Sequence, residues 1–486
     1  MRPNTVRMRL WLGLGVMAVA AVVAATGAFG VSSSDTITTI AGTGQAGYSG
    51  DGGQAISAKL DSPDGVAVDG QGNAYIADLR NGRVRKVSRD GTITTFAGTG
   101  TWGSSGDGGL ATSAQLNGPE GVAVDGQGNV YIADRENYRV RKVTPGGTIT
   151  TFAGGGKPGF LGDGGLATLA TLRRPSGVAV DGQGNVYIAD RDNSRVRKVS
   201  PGGTITTFAG TDKEGFAGDG GPANSALLYR PDGVAVDGSG NVYIADTFNN
   251  RVRKVSPGGT ISTFAGTGAC SAAGDGGLAT AARVCQPRGV AVDRQGNVYI
   301  ADTNSSRVRK VSPGGTITTF AGTGSCGSGI GNGGPATAAE LCGPSGVAVD
   351  AQGNVYIVET IRSRVRKVTV GTQAAALTVT LGGASTQQLL AQQGIVVTAK
   401  CNTPCSLSAT GSVTILGTRY LFYLTRASAK LAGGTRTLTL RCSAVEQRRF
   451  RNLLKPGHKI RALITVKATD KAGNTRTSKR TVTVRR

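Results

Sequence analysis

The polar and apolar positions of this chain recur with a long period. The string Gly-Val-Ala-Val-Asp begins at Gly65, Gly121, Gly177, Gly233, Gly289 and Gly346, at spacings of 56, 56, 56, 56 and 57 residues. Each copy continues in one order. A turn such as Gly70-Gln71-Gly72-Asn73 leads to Tyr75-Ile76-Ala77-Asp78, then to Arg83-Val84-Arg85-Lys86-Val87, then to Gly91-Thr92-Ile93-Thr94-Thr95-Phe96-Ala97-Gly98. A glycine-rich stretch containing Gly-Asp-Gly-Gly closes the unit, as at residues 106–109. The runs are short, β-branched or aromatic, and bounded by turn residues, which is the pattern of strands. Asp69-Gly70-Gln71-Gly72-Asn73 has the residues of a tight hairpin turn. The first two strands are apolar on both faces and are expected to be covered on both. The third alternates Arg83, Val84, Arg85 and reads as half exposed. Buried, buried, half exposed and outer is the gradient of a propeller blade from the axis outward. A β-helix, the rival periodic fold, has much shorter coils.

Counting the copies closes a ring. There are six each of the first three strands, and six of the outer strand, but the outer strand is out of phase. Its first copy, Ile37 to Gly42, precedes the first Gly-Val-Ala-Val-Asp, and none follows Arg364 to Val368. The expected fold is all-β: a six-bladed propeller over residues 31–370, with strand 37–42 completing the last blade beside 364–368. That arrangement leaves no unpaired edge in the ring.

The order Pro-x-Gly-Val-Ala-Val-Asp, Gly-Asn-Val-Tyr-Ile-Ala-Asp, Arg-Val-Arg-Lys-Val closely resembles the NHL repeat. Ala-Gly-Thr-Gly with Gly-Asp-Gly-Gly and the Ala-rich stretch after it is similar to the teneurin-type NHL variant of bacterial secreted proteins. The resemblance covers about residues 36–370 and implies a six-bladed NHL propeller used as an interaction platform.

The repeated acids have two readings. Asp78, Asp134, Asp190, Asp246 and Asp302 end the second strand, with Glu359 in the sixth copy; Asp69, Asp125, Asp181, Asp237, Asp293 and Asp350 end the first. A residue that every blade carries is expected to cap a turn or pair with the repeated arginines. The same holds for Asp51, Asp107, Asp163, Asp219 and Asp275 of the glycine loops, replaced by Asn332 in the sixth. A glycine-flanked Asp also suits a Ca²⁺ loop, so these five are the candidate calcium ligands; no other cofactor is expected.

Function in a symmetric ring is sought where symmetry breaks. Tyr48, Trp102, Phe160, Phe216 and Ile330 differ between the glycine loops, and Tyr138 and Phe248 differ in the segment after Tyr-Ile-Ala-Asp. An aromatic rim of this kind suits a protein or sugar, and these residues are the ligand-binding candidates. The competing reading is that Tyr48, Phe160 and Phe216, at equivalent positions, pin their own loops. Some six-bladed relatives, gluconolactonase-like and amidating-lyase-like, are enzymes that use a central metal or a catalytic histidine. The one histidine of this chain, His458, lies beyond the repeats. No Ser/His/Asp or Cys/His set is available within them, so no catalytic residue is assigned.

The ends differ from the middle. Arg2, Arg7 and Arg9 precede an uncharged stretch from Leu10 to Val31, followed by small residues: a secretory signal over residues 1–30, or an uncleaved anchor. Residues 371–486 lose the period. Alternating runs at 377–381, 395–399, 412–415, 436–440, 460–466 and 480–484, with a hairpin signal at 468–474 and one short helix at 444–454, suggest a small β-sandwich. The hairpin Ala-Thr-Asp-Lys-Ala-Gly-Asn is similar to those of bacterial immunoglobulin-like domains. Charge concentrates here. The whole chain is +24, and this tail alone holds 19 Lys/Arg against Glu446 and Asp470, hence +17. Anionic surface polymers are its expected partners, nucleic acid less so.

Seven cysteines accord with export. Cys270 and Cys326 occupy equivalent loop positions, as do Cys285 and Cys342, and other repeats lack cysteine at both places. That argues for Cys270–Cys285 and Cys326–Cys342 disulfides, with a zinc site as the competing reading. Cys401–Cys405 is the easier pair among the rest, leaving Cys442. The expectation is a secreted or cell-surface, non-catalytic binding protein, whose propeller displays ligand loops and whose basic domain tethers it. A metal-dependent propeller hydrolase or lyase is the alternative.

Overall fold

A computed structural model describes residues 35–327 and 331–370, together with strands of the C-terminal region. The expected signal segment, Ile330, Cys442 and the expected helix at 444–454 lie outside the described residues. Among those described, no helix is long and apolar enough to cross a membrane.

Six four-stranded antiparallel sheets form the repeat region. In the first, Pro63–Val68, Ala74–Asp78, Arg83–Val87 and Ile93–Ala97 follow one another in chain order. Proline opens the inner strand at a position where a missing N–H costs little. Asp69 closes the first hairpin: its carboxylate accepts the N–H groups of Gln71 and Asn73 at 3.0 and 2.9 Å and the Tyr75 hydroxyl at 3.2 Å. Its equivalents do the same in every blade. The sixth sheet is composite. Its outer strand is Thr36–Ala41, antiparallel to Arg364–Thr369, with Ile37 opposite Val368.

The cores lie between blades. One cluster joins Tyr131 and Val140 of the second blade to Val178, Val186 and Ile188 of the third, with Ala167, Ala170 and Leu172 wedged between them. Those last three belong to the long strap that links the outer strand of one blade to the inner strand of the next. A single blade therefore has no core of its own. At the axis the inner strands approach so closely that only glycine fits. A Cβ on Gly65, Gly121, Gly177, Gly233, Gly289 or Gly346 would come within 2.2–2.4 Å of the next blade's carbonyl oxygen.

The third strand departs from its expected half exposure. Arg85, Arg141, Arg197, Arg253, Arg309 and Arg366 are fully buried. Alternation of Arg and Val reads the same whether the arginine meets water or a buried acid, and here it meets acids.

The C-terminal strands form two antiparallel sheets. Thr378–Gly382, Gly394–Cys401 and Gly434–Arg441 make one; Leu421–Leu431, Cys405–Ile415, Lys459–Asp470 and Thr475–Arg485 make the other, in that order. Leu421–Leu431 is a strand that the hydrophobic pattern does not disclose. A register shift opposite Ala409/Gly411 changes the phase of its alternation midway, and a bulge of this kind erases a period-2 signal.

Candidate functional site

Each blade carries one ionic staple. In the fourth, Arg253 extends from the third strand between two carboxylates: Nη2 is 2.6 Å from Asp219 Oδ1 in the strap, and Nη1 is 3.4 Å from Asp246 Oδ2 at the end of the second strand. Thr263 of the outer strand donates its hydroxyl to Asp219 Oδ2 at 2.6 Å. Asp246 also accepts the Tyr229 N–H and the Asn249 amide, both at 2.8 Å. The Arg253 and Asp219 side chains together thus tie the strap to three strands. Burial pushes the Asp246 carboxyl up to about 6, against the pull of those hydrogen bonds and Arg253. Asp219 is only part-buried; its burial raises its pKa, but the Thr263 hydroxyl and Arg253 outweigh that and hold it below the ordinary carboxylate range. Arg85 pairs likewise with Asp51 and Asp78, Arg141 with Asp107 and Asp134, Arg197 with Asp163 and Asp190, and Arg309 with Asp275 and Asp302. The sixth blade moves the charge inward: Arg366 lies 3.1 Å from Glu359 and 3.0 Å from the amide oxygen of Asn332. The candidate calcium ligands Asp51, Asp107, Asp163, Asp219 and Asp275 are therefore engaged one by one, in five separate blades, by a guanidinium.

The aromatic candidates are dispersed. Tyr48, Phe160 and Phe216 lie flat against Arg83, Arg195 and Arg251 of their own blades, at 3.8, 3.3 and 3.6 Å from guanidinium carbon to ring centre. They cover the staple arginines from solvent. Tyr138 is half-buried and takes a left-handed conformation after a short 3-10 turn, with φ of 56°. Phe248 packs on Tyr229, and Trp102 projects into solvent beside Gly82. Among the described residues no ring contact joins any two of the six. The structure places them around the perimeter rather than in one site.

What it does bring together is the variable residue of Pro-x-Gly-Val-Ala-Val-Asp. Asp64, Glu120, Ser176, Asp232, Arg288 and Ser345 converge on the axis and line, with the following Gly and Val of each blade, a cavity of about 70 Å³ that opens to solvent. The position differs from blade to blade in size and charge, whereas the strands below it repeat. That asymmetry was present in the sequence; what the sequence lacked was the knowledge that this end of the inner strand meets its five counterparts.

Charge at the mouth is mixed. Arg288 reaches across it: Nη1 is 3.2 Å from Asp64 Oδ2 of the first blade, and Nε is 3.5 Å from Asp232 Oδ2 of the fourth. Arg135 Nε lies 3.0 Å from Glu120 Oε2. The serines hold the frame rather than a ligand: Ser176 and Ser345 donate to the carbonyl oxygens of Asp232 and Asp64, each at 2.9 Å. Burial, reinforced by Asp232 and Asp64, pushes the Glu120 carboxyl up to about 8, and burial pushes Asp64 to about 6. Both lie above their unfolded values, so the folded chain holds protons that the unfolded chain has released. The contribution of these two groups to stability is therefore complete below about 4 and is lost as pH rises to about 6 for Asp64 and about 8 for Glu120. In thermal melts across that interval, Glu120→Gln should flatten the decline. An unchanged slope would mean that Glu120 does not carry the proton.

The disulfides Cys270–Cys285 and Cys326–Cys342 staple the straps of the fifth and sixth blades, at sequence separations of 15 and 16. The Cys285 and Cys342 N–H groups donate to Asp302 and Glu359 at 2.7 and 2.9 Å, linking each disulfide to the ionic staple beside it. Cys401 ends one C-terminal strand and Cys405 begins the next; their side chains lie outside the described set.

Comparison with known proteins agrees with this architecture. The profile of the Teneurin NHL domain matches residues 36–105, 211–273 and 267–329, and that of the NHL repeat matches residues 116–143 and 172–199. The chain is similar to Protein SUPPRESSOR OF QUENCHING 1 of Arabidopsis thaliana, 30% identical over 268 residues, covering 52% of this chain and 25% of the plant protein. It is similar to Teneurin-1 of Homo sapiens, 32% identical over 235 residues, covering 43% of this chain and 8% of the teneurin. The match thus spans a quarter or less of either relative. Among solved structures, a structural genomics protein of unknown function from Bacteroides thetaiotaomicron aligns with a TM-score of 0.51 and 23% identity, covering 68% of this chain and 75% of the other. An auxiliary nutrient binding protein of the same organism aligns with a TM-score of 0.51, 16% identity and the same coverage. Both show the fold.

Proposed function

We propose, for a chain whose propeller belongs to the NHL-repeat family, that it is an exported, non-catalytic binding protein. One observation carries this reading. The acids repeated in every blade are consumed by internal staples, while the residues that vary gather at the axial mouth, where a ligand would meet Asp64, Glu120, Asp232 and Arg288 at once. Disulfides in two straps support an oxidising, extracytoplasmic location. The role stated for the nutrient binding propeller of similar fold accords with a binding platform. The ligand class is a protein or glycan, and residues 1–30 are the export signal. Residues 371–486, read as a basic immunoglobulin-like sandwich with 19 Lys/Arg against two acids, tether the propeller to anionic surface polymers.

Two experiments test the parts. Immobilised full-length protein should retain a ligand from the surface fraction of its source cells that the Glu120→Gln/Asp232→Asn double variant does not retain. Equal retention would remove the mouth from the reading. On heparin at low salt the full chain should be held more tightly than a chain ending at Val370, and equal elution would defeat the tether. The alternative is a metal-dependent hydrolase or lyase, although among the described residues the axial carboxylates are not grouped to hold a metal ion. A stoichiometric metal ion in the purified protein would favour that alternative.

A further inference from the structure

We propose that the axial mouth recognises a guanidinium group, the arginine side chain of a protein partner, and that Arg288 occupies this place in the free chain. The inference rests on the reading of the propeller as a binding platform and names the chemistry of its ligand.

The spacing of the acids is the first argument. Asp64 and Asp232 come from the first and fourth blades, yet one guanidinium reaches both, at 3.2 and 3.5 Å. The gap between these carboxylates is thus about the width of a planar fork of donors. Among the described residues no group of three or more His, Cys, Asp and Glu is placed to hold a metal ion. The mouth therefore fits a flat, multi-donor cation better than a point charge, and a guanidinium offers five donors in one plane where an ammonium offers three at a point.

The second argument is unequal anchoring. The side chains of Asp64, Glu120 and Asp232 retain 13, 4 and 7% of their exposure, but that of Arg288 retains 34%. The acceptors are fixed in the ring, and the cation is the part that can leave. Arg288 makes one contact to each acid and no bidentate pair, the weaker of the geometries open to arginine and carboxylate.

Unused acceptor capacity is the third. Among the described residues, Asp232 Oδ2 and Glu120 Oε2 are buried without a hydrogen-bond donor, and each has the ion pair already described. A buried carboxylate oxygen in that state gains from any well-aimed N–H. An incoming guanidinium would take the Asp64–Asp232 span in place of Arg288 and present further donors to Glu120. Glu120 is faced by Asp64, Asp232, Arg135 and Arg191. A further cation added to that set draws the proton from its carboxyl, so binding near neutral pH should release protons.

The test uses the full chain and three probes: Nα-acetyl-arginine amide, its neutral citrulline counterpart and its lysine counterpart, titrated by calorimetry in buffers of different ionisation enthalpy. The arginine probe should bind saturably with proton release, the citrulline probe should not bind, and the lysine probe should bind more weakly. Arg288→Ala removes the internal occupant and should tighten arginine binding by about tenfold or more, because the competent state is no longer a minor one. Asp232→Asn should lose it. Should Arg288→Ala fold poorly, millimolar methylguanidinium should raise its melting temperature more than that of the wild type, and Arg288→Gln serves as the second variant. Equal binding of the citrulline probe, or an arginine affinity unchanged by both Arg288 substitutions, overturns the inference. Retention of a surface ligand by wild type without any response to the arginine probe overturns it too, and leaves the binding reading standing; loss of both defeats both.

Discussion

A chain beginning at Thr43 is expected to lose the cooperative unfolding of its six blades. Residues Thr36–Ala41 supply the outer strand of the sixth sheet, and their loss leaves Arg364–Thr369 as a bare edge. Ile37 and Ala41 are both fully buried and belong to different cores, one between the fifth and sixth blades and one between the sixth and first. Because every core is shared by two neighbours, opening the ring at one blade exposes apolar surface on both sides of it. Ile37→Ala alone should cost about 2–5 kcal/mol, the range for truncating a fully buried large aliphatic side chain. For the shortened chain, denaturant titration followed by tyrosine fluorescence and by circular dichroism should give broad, non-coincident transitions. A synthetic peptide of residues 35–42 should restore a single sharp one. A truncated chain that melts as sharply as the intact protein, without peptide, would show that the ring does not depend on this strand.

The second large effect is expected at the staples. Arg253→Met keeps most of the side-chain volume but leaves Asp246 fully buried and Asp219 part-buried without their cation. Breaking a buried pair in this way costs about 3–5 kcal/mol, chiefly through the uncompensated charge that remains. The control follows from the same physics. Arg253→Met combined with Asp219→Asn and Asp246→Asn removes the stranded charges and should recover more than half of the loss. Urea titration of the two variants decides it. A single variant within about 1 kcal/mol of wild type, as for an exposed pair, would mean that the staple contributes little.

Much of this molecule was legible before any coordinates. The number of blades and the strands within each follow from a period of 56 residues and four distinct local patterns. Each pattern expresses contacts made within one blade or with its neighbour, so each copy states it again. The two strap disulfides were legible for a related reason: cysteine occurs at both of two positions 15 or 16 residues apart or at neither. The candidate site was far less so. Tyr48, Phe160 and Phe216 were prominent as aromatic residues at variable loop positions, yet they cover their own arginines. Asp64, Glu120, Asp232 and Arg288 were passed over because each stands alone in its repeat.

The sequence by itself determined an all-β propeller of six blades, because hydrophobic periodicity and turn chemistry are local properties of the chain. Only the tertiary structure decided that the middle arginine of the third strand is buried between two acids, since a polar residue alternating with valine gives one pattern for water and for a buried partner alike. Only the tertiary structure assembled the axial mouth. Its residues are about 56 positions apart in the chain and meet because six inner strands converge to the point where a single Cβ would not fit between them. Convergence of that kind is a property of the closed ring and of no segment within it.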